Sequence, residues 1–267
     1  MQFPIRRGDK SSDVVLVQNR LNRRGALLKE DGRFGGGTEE ALAQACSFFN
    51  MPPVHFVDQE MWNRLDALPE ASDLLPTWGV TFIALEEVSS RQAYDALYSR
   101  PTWPSEESGI TIGIGYDLKF AKDTFQGDWQ GLLDPNTYSD LVPWLGRTGS
   151  REGKESLKHT RQPFEAAWNV YLKRTIPNEV HKTQKAFPGY EALSPLCKSA
   201  LVSLVYNRGT SLVGPRRVEM RAIHDLIQEG HLDGVPDQLI AMKRLWPDLS
   251  GLRSRREHEA ELWKSGL

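Results

Sequence analysis

Cysteine is nearly absent: the 267 residues hold two thiols, Cys46 and Cys197, far apart and each within a helix-like apolar pattern. Neither belongs to a CxxC or Cys/His spacing, which excludes a disulfide framework and a zinc ribbon and leaves two buried free thiols as the expectation. Histidine is scarce too, six in all, with no HxH or HExxH; His224 and His231 stand seven apart around a glycine. No metal site is read from that spacing, and no cofactor is expected. No elbow motif supports a serine or cysteine nucleophile. Apolar runs fall well short of the roughly 20 residues that span a bilayer, so membrane insertion is not expected. From Met1 the chain goes straight to Arg6 and Arg7 with no apolar stretch behind them. A secretory leader is therefore not expected, and a product made in the cytoplasm would need another route to any target outside it. Charge of one sign is also missing. There are 33 basic and 35 acidic residues, net −2, and the first 70 residues alone hold 9 and 10. Neither half is a basic arm, which argues against nucleic acid as the partner.

What is present is an ordinary globular composition, 39% hydrophobic and 25% charged, on a chain comfortable for two domains of unequal size. The N-terminal part reads as three short helices. Ser11-Ser12-Asp13 offers cap chemistry ahead of Val14, Val17 and Leu21 at helical spacing, with Gly25 to end the helix. After the turn-rich Asp31 to Gly37 loop, Thr38 is expected to cap a second helix with Glu39 and Glu40 in its first turn. Pro52-Pro53 breaks it, and Asp58 caps a third helix carrying Met61, Trp62 and Leu65. Pro69 to Pro76 reads as a short, stiff linker. Beyond it, Val80 to Glu87 is helical, Gly109 to Leu118 alternates like a strand, and the chain after about Gln162 is mostly helical. The expected class is α+β, predominantly α.

The series Gly8, Val14, Val17-Gln18, Leu21, Gly25, Asp31-Gly32-Arg33-Phe34-Gly35, Thr38, Ala41, Leu42 resembles the peptidoglycan-binding domains fused to cell-wall hydrolases. It places a small three-helix domain at 1–68, with 69–76 as linker. A second resemblance covers about 78–267. Glu87, Tyr94 seven residues later, then Thr111-Ile112-Gly113-Ile114-Gly115 are similar to the opening of the phage-type lysozymes. Cys197 to Gly209, with Tyr206-Asn207-Arg208-Gly209 at its end, resembles that family's central helix. Trp246 with Arg253 seven residues on, then Arg255, Arg256 and Trp263, resembles its closing segment. This implies a domain at 77–267 with a small β-hairpin lobe and a helical lobe, and an insertion between Leu118 and Gln162.

The resemblance also implies a chemistry. A glycosidase needs an acid to protonate the leaving oxygen and a second polar group to hold water or stabilise the developing cation. Glu87 is the expected general acid, with Glu86 its nearest rival, because periodicity alone does not separate neighbours. Thr111 and Asp117 are the expected water-holding pair; Gly115, Asn207 and Arg253 are expected to meet substrate, with Arg253 paired to Glu87. The pattern departs from the T-even type at one place. There a carboxylate precedes the strand threonine by six residues, and here that position is Ser105. Asp117, six residues after Thr111, looks like the arrangement in pesticin-like muramidases, while Glu106 and Glu107 stay open as alternatives. Thr111 and Asp117 share strand parity, but a straight strand would hold them roughly 20 Å apart. A hairpin turning at Gly113 to Tyr116 would bring them together. The expected activity is a muramidase, endolysin-like, cutting the β-1,4 bond between N-acetylmuramic acid and N-acetylglucosamine in the wall. A lytic transglycosylase and a non-catalytic wall-binding module of a phage or secretion system are the alternatives. Peptidoglycan is the expected partner of a monomer; source, delivery apparatus and any immunity protein are not legible.

Overall fold

A single buried amide organises the N-terminal segment of the computed structural model, which describes all 267 residues. Helix α1, Ser12–Asn22, starts where Ser11 Oγ accepts from the Val14 amide. Its Gln18 side chain is 2% exposed. Gln18 Nε2 donates to Asp31 Oδ1 at 2.9 Å, to the Arg33 carbonyl at 3.2 Å and to Thr38 Oγ1 at 3.3 Å, and Oε1 accepts from the Gly32 amide at 3.0 Å. The loop is thereby folded onto α1, and α2, Gly36–Phe48, starts from it. The expected cap moves: Gly35, in extended conformation, is the N-cap of α2, and Thr38 lies in its first turn. Gly36 and Gly37 join the helix, which frees the Thr38 hydroxyl to meet Gln18 instead of capping. Helix α3, Gln59–Asp66, keeps its expected cap, with Asp58 Oδ1 accepting from the Met61 amide at 2.8 Å. Strands β1, Ile5–Arg6, and β2, Phe56–Val57, pair antiparallel with Ile5 opposite Val57. Val14, Val17, Leu42, Cys46, Val57 and Leu65, each fully buried, form the centre of this small core.

Next along α1, the buried Asn22 side chain clamps the backbone of Leu28, donating to its carbonyl at 3.0 Å and accepting from its amide at 2.8 Å. The bridge forces Leu27 into the left-handed region at φ 50°, a conformation that costs a residue with a Cβ about 1 kcal/mol or more. Asn19 and Asn22 both donate to Glu30. Burial still outweighs those bonds and raises the Glu30 carboxyl above its ordinary value.

The fold is predominantly helical α+β, with two small two-stranded antiparallel sheets. The chain divides into two compact units, one of Met1–Asp73 with Ala84–Thr175, the other of Leu74–Ile83 with Ile176–Leu267. Helix α4, Thr77–Val88, is shared between them. In the first unit β3, Thr111–Ile112, pairs with β4, Tyr116–Asp117, and α5, Phe164–Val170, runs on into a π-helical segment at Tyr171–Thr175. Gly25 sits against that helix. A Cβ there would lie 2.9 Å from the Phe164 ring and 3.0 Å from Trp168, and its φ is +77°. Glycine is therefore needed twice over, for the turn after α1 and for the aromatic contact.

The second unit is built from α6 (Ile176–Ala186), α7 (Pro195–Arg208), α8 (Val218–Glu229), α9 (Val235–Ala241) and α10 (Ser250–Lys264). The helix expected over Gln238 to Leu245 begins earlier and passes into a 3-10 turn at Met242–Leu245. A charged network fixes α10 on α7. Glu259 accepts from Ser203 Oγ at 2.7 Å and from Arg256 at 2.8 Å, while Arg255 donates to the Ser203 carbonyl at 3.0 Å. Such a network is held by its completeness, since losing one member leaves a buried charge. Cys46 and Cys197 are both buried free thiols. No helix is long and apolar enough to cross a membrane.

Two outcomes follow. Gln18→Leu strands the Gly32 amide and the Thr38 hydroxyl in the core, and should lower the free energy of the first urea transition of the full chain by about 2–4 kcal/mol. Glu30→Gln tests burial. A raised carboxyl contributes stability that is complete below its ordinary value of 4.5 and is lost as pH rises through the higher folded value. Above that window Glu30→Gln should therefore unfold later than wild type, and the gap should close toward pH 4. A gap that stays constant with pH would refute the assignment.

Candidate functional site

Helix α4 follows from its apolar stripe: Val80, Ile83 and Ala84 are fully buried, and Val88 is 1% exposed. Glu86 and Glu87 in its last turn are both half-buried, so burial ranks neither above the other. The helix ends at Ser89, which takes φ 63° while its amide reaches back to the Leu85 carbonyl at 2.9 Å. Ser90 Oγ then accepts from the Ala93 amide at 2.9 Å and starts a new turn. Tyr94, the aromatic seven residues past Glu87, is fully buried. Its hydroxyl donates to the Gln162 carbonyl at 2.8 Å and its ring meets Phe164 edge-on at 5.1 Å. Its position therefore fixes where the chain goes after Glu87. Burial raises its hydroxyl pKa.

The hairpin forms where the glycines permit it. Thr111 pairs with Asp117 and Ile112 with Tyr116, around a turn with φ +58° at Gly113 and +70° at Gly115. A Cβ on Gly113 would lie 3.1 Å from both Ala167 and Trp129, so that glycine is also a packing requirement. Gly115 is exposed. Ile110, Ile112 and Ile114 are buried, as their parity requires. Thr102 bridges the outer edge of Thr111, each amide donating to the other's carbonyl. Thr111 and Asp117 thus become neighbours on one small sheet, both half-buried.

Asp117 is more constrained than the strand pattern foretold. Oδ1 accepts from the Lys119 amide at 2.8 Å and Oδ2 from the Gly109 amide at 3.2 Å. The carboxylate closes a turn, and each oxygen keeps acceptor capacity for a water. A Cβ on residue 109 would lie 2.2 Å from Asp117 Oδ1, so Gly109 is a requirement of that geometry. Nothing in the strand alternation marked it, because the need is set by a residue eight positions away. Behind the hairpin, Tyr116 donates to Asp128 at 2.8 Å, and Arg174 Nε donates to the same carboxylate at 2.9 and 3.0 Å. These residues come from the insertion and the π-helical segment, outside every motif. Trp129 packs edge-on against Tyr116 at 5.5 Å and is fully buried, a core role. Glu106 and Glu107 are exposed; the Glu107 carbonyl accepts from Lys119 Nζ at 2.7 Å.

Asn207 and Arg253 belong to the second unit. Asn207 lies in the last turn of α7, half-buried, its Oδ1 enclosed without a hydrogen-bond partner. Arg253, half-buried in α10, adds to Lys243 in holding the Glu257 carboxyl below its ordinary value, the Lys243 bond being the larger cause.

Residues 10–65 match a family model described as "Putative peptidoglycan binding domain". No curated protein matches the chain. The chain thus carries a peptidoglycan-binding module, and peptidoglycan is its partner.

Gly109→Ala separates position from chemistry at Asp117. The added methyl should displace the carboxylate while leaving it in the chain. The Lys119 amide should then lose its protection from hydrogen exchange, with Thr111 and Glu87 untouched. Unchanged exchange at that amide would show that Gly109 does not hold the carboxylate in place.

Proposed function

We propose that the chain is a peptidoglycan hydrolase, a lysozyme-type glycosidase that cleaves the β-1,4 bond between N-acetylmuramic acid and N-acetylglucosamine. The observation that supports this most is the hairpin, which places Thr111 beside Asp117 in the same compact unit as the half-buried Glu87, on a chain with a wall-binding module. Glu87 protonates the departing glycosidic oxygen. Asp117 accepts a proton from the attacking water, and the Thr111 hydroxyl orients that water. Holding the Asp117 carboxylate by two backbone amides fixes it before substrate arrives, which lowers the cost of reaching the reactive geometry. Gly115, exposed and without a side chain, lets a sugar approach the turn. Asn207 and Arg253 are the substrate-contacting residues of the second unit. The protein is a monomer that acts at the wall after release or delivery.

One observation favours a second reading. The Gly109 and Lys119 amides give Asp117 a complete role in closing its turn whether or not it meets a water, and a lytic transglycosylase needs the acid but not an activated water. The 6-hydroxyl of the muramyl unit would then attack in place of water.

Purified sacculi and mass spectrometry of the released muropeptides separate the two, with reducing ends for hydrolysis and 1,6-anhydro ends for transglycosylation. Glu87→Gln should lose about 10²–10⁴-fold in turnover, as expected for a general acid. Asp117→Asn should lose most hydrolysis while a melting curve stays within a few degrees of wild type. Glu106→Gln and Glu107→Gln should stay near wild-type activity. Full activity in Glu87→Gln, with Glu86→Gln inactive, would move the acid by one residue. Full activity in both would remove the acid from this helix end, and no activity of the wild-type chain on sacculi would remove the enzymatic reading.

A further inference from the structure

A crevice of about 160 Å³ opens beside the wall-binding module, where the loop after α1 and the first turns of α2 face the turn that follows α4. Its apolar side is Leu27, Leu28 and Ala41, and its polar side is Glu40, Arg91 and Gln92. The first four lie within the residues matched by the family model and the last two lie outside it. The crevice is therefore composite: the module supplies most of it, and the turn after α4 supplies the rest.

The polar wall is organised in advance. Gln92 Nε2 donates to Glu40 Oε2 at 3.1 Å across the gap. Arg91 lies with its guanidinium 3.9 Å above the Phe164 ring, its Nη2 donating to Glu165 at 2.9 Å and its Nε to Asp95 at 3.4 Å, which leaves Nη1 uncommitted. Its remaining donors are thus presented from a fixed plane. On the apolar wall, the Asn22 clamp holds Leu27 in its left-handed conformation. On the other side, Ser89 at φ 63° sets the direction in which Ser90 to Gln92 enter.

We propose that this crevice is a subsite for the peptide stem of peptidoglycan. The proposal rests on the module's wall binding and not on the hydrolase reading. The crevice is smaller than the roughly 300–1,000 Å³ of ordinary small-molecule sites, which suits one or two small residues better than a disaccharide. A carboxylate and a guanidinium on one rim over an apolar floor match a short chain carrying an amino group, a carboxylate and methyl side chains. A bare glycan strand keeps the lactyl carboxylate of each muramyl unit but carries no amine, so it leaves Glu40 without a partner. The stem's carboxylate takes Arg91, its amine takes Glu40, and alanyl methyls lie on Leu27, Leu28 and Ala41. Because Arg91 and Gln92 follow Glu87 by only four and five residues, a seated stem also fixes the register between the anchored strand and the end of α4.

Calorimetric titration of full-length Glu87→Gln protein, with a soluble disaccharide-tetrapeptide and with the same disaccharide lacking its peptide, tests the assignment. The tetrapeptide compound should bind at least tenfold tighter. Glu40→Gln, an exposed change, and Arg91→Gln should each remove most of that difference. Both should still be retained by peptide-free glycan strands, released from sacculi with an amidase and immobilised on resin, as the parent is. Equal affinity for the two compounds, or a difference that survives both variants, would overturn the stem assignment while leaving wall binding intact. Failure of the parent to bind either intact sacculi or the immobilised glycan strands would overturn wall binding and this inference together. Loss of muramidase activity elsewhere in the chain would affect neither result.

Discussion

The Gln18 side chain carries more of this structure than any other single group. It is a buried amide in the middle of an apolar helix face, tolerable only because both its ends are satisfied. Its bonds reach Asp31, Gly32, Arg33 and Thr38, so one side chain closes the loop, sets the start of α2 and fixes which residues of α2 face outward. Glu40 and Ala41 reach the rim of the crevice through that chain of constraints. Asn22, one helical turn on, repeats the device and shapes the opposite wall through Leu28. Gly25 then lets the end of α1 meet Phe164 and Trp168, where any side chain would collide.

The hairpin obeys the same logic with a different donor set. Alternation puts three isoleucines inward, and glycines give the turn its positive φ values, but the functional spacing depends on Asp117 being tied at both oxygens. A carboxylate used in this way is both a turn element and a preorganised acceptor. Those two roles do not compete, because each oxygen has a second lone pair. The cost falls on Gly109 and Lys119, whose backbone amides are committed to the site, and on the insertion, which supplies Asp128 and Trp129 as backing for Tyr116.

Much of this was legible in the chain because it is local. The caps at Ser11 and Asp58, the α4 stripe, the isoleucine parity and the hairpin follow from neighbours within a few positions. The misplaced cap at Thr38 shows where local reasoning stops: its hydroxyl had a better partner 20 residues away, and glycines made an earlier start free of steric cost. Glu86 and Glu87 could not be ranked by periodicity, and both are half-buried in the folded chain. Gly109, Asp128, Arg174 and Arg91 were invisible for a common reason. Each acquires its role from a residue that only the folded chain brings near, and each is a residue type with an ordinary surface or turn use.

That distinction bears on what the family match means. Most of the residues that carry the resemblance in the first 68 positions, among them Val14, Val17, Gln18, Leu21, Asp31, Gly32, Phe34, Thr38 and Leu42, have structural uses. In the structure they face the core or one another. A pattern spent on closing a loop and filling a core identifies a scaffold; it does not point to the atoms that touch the wall. Those atoms must come from positions the pattern leaves free, on the outer faces of α2 and its loops. Glu40 and the exposed Gln44 stand there, and Leu28 is half-buried beside them. On the proposed stem subsite the segment after α4 adds Arg91 and Gln92 to that rim, which would make the module's binding depend on what it is fused to.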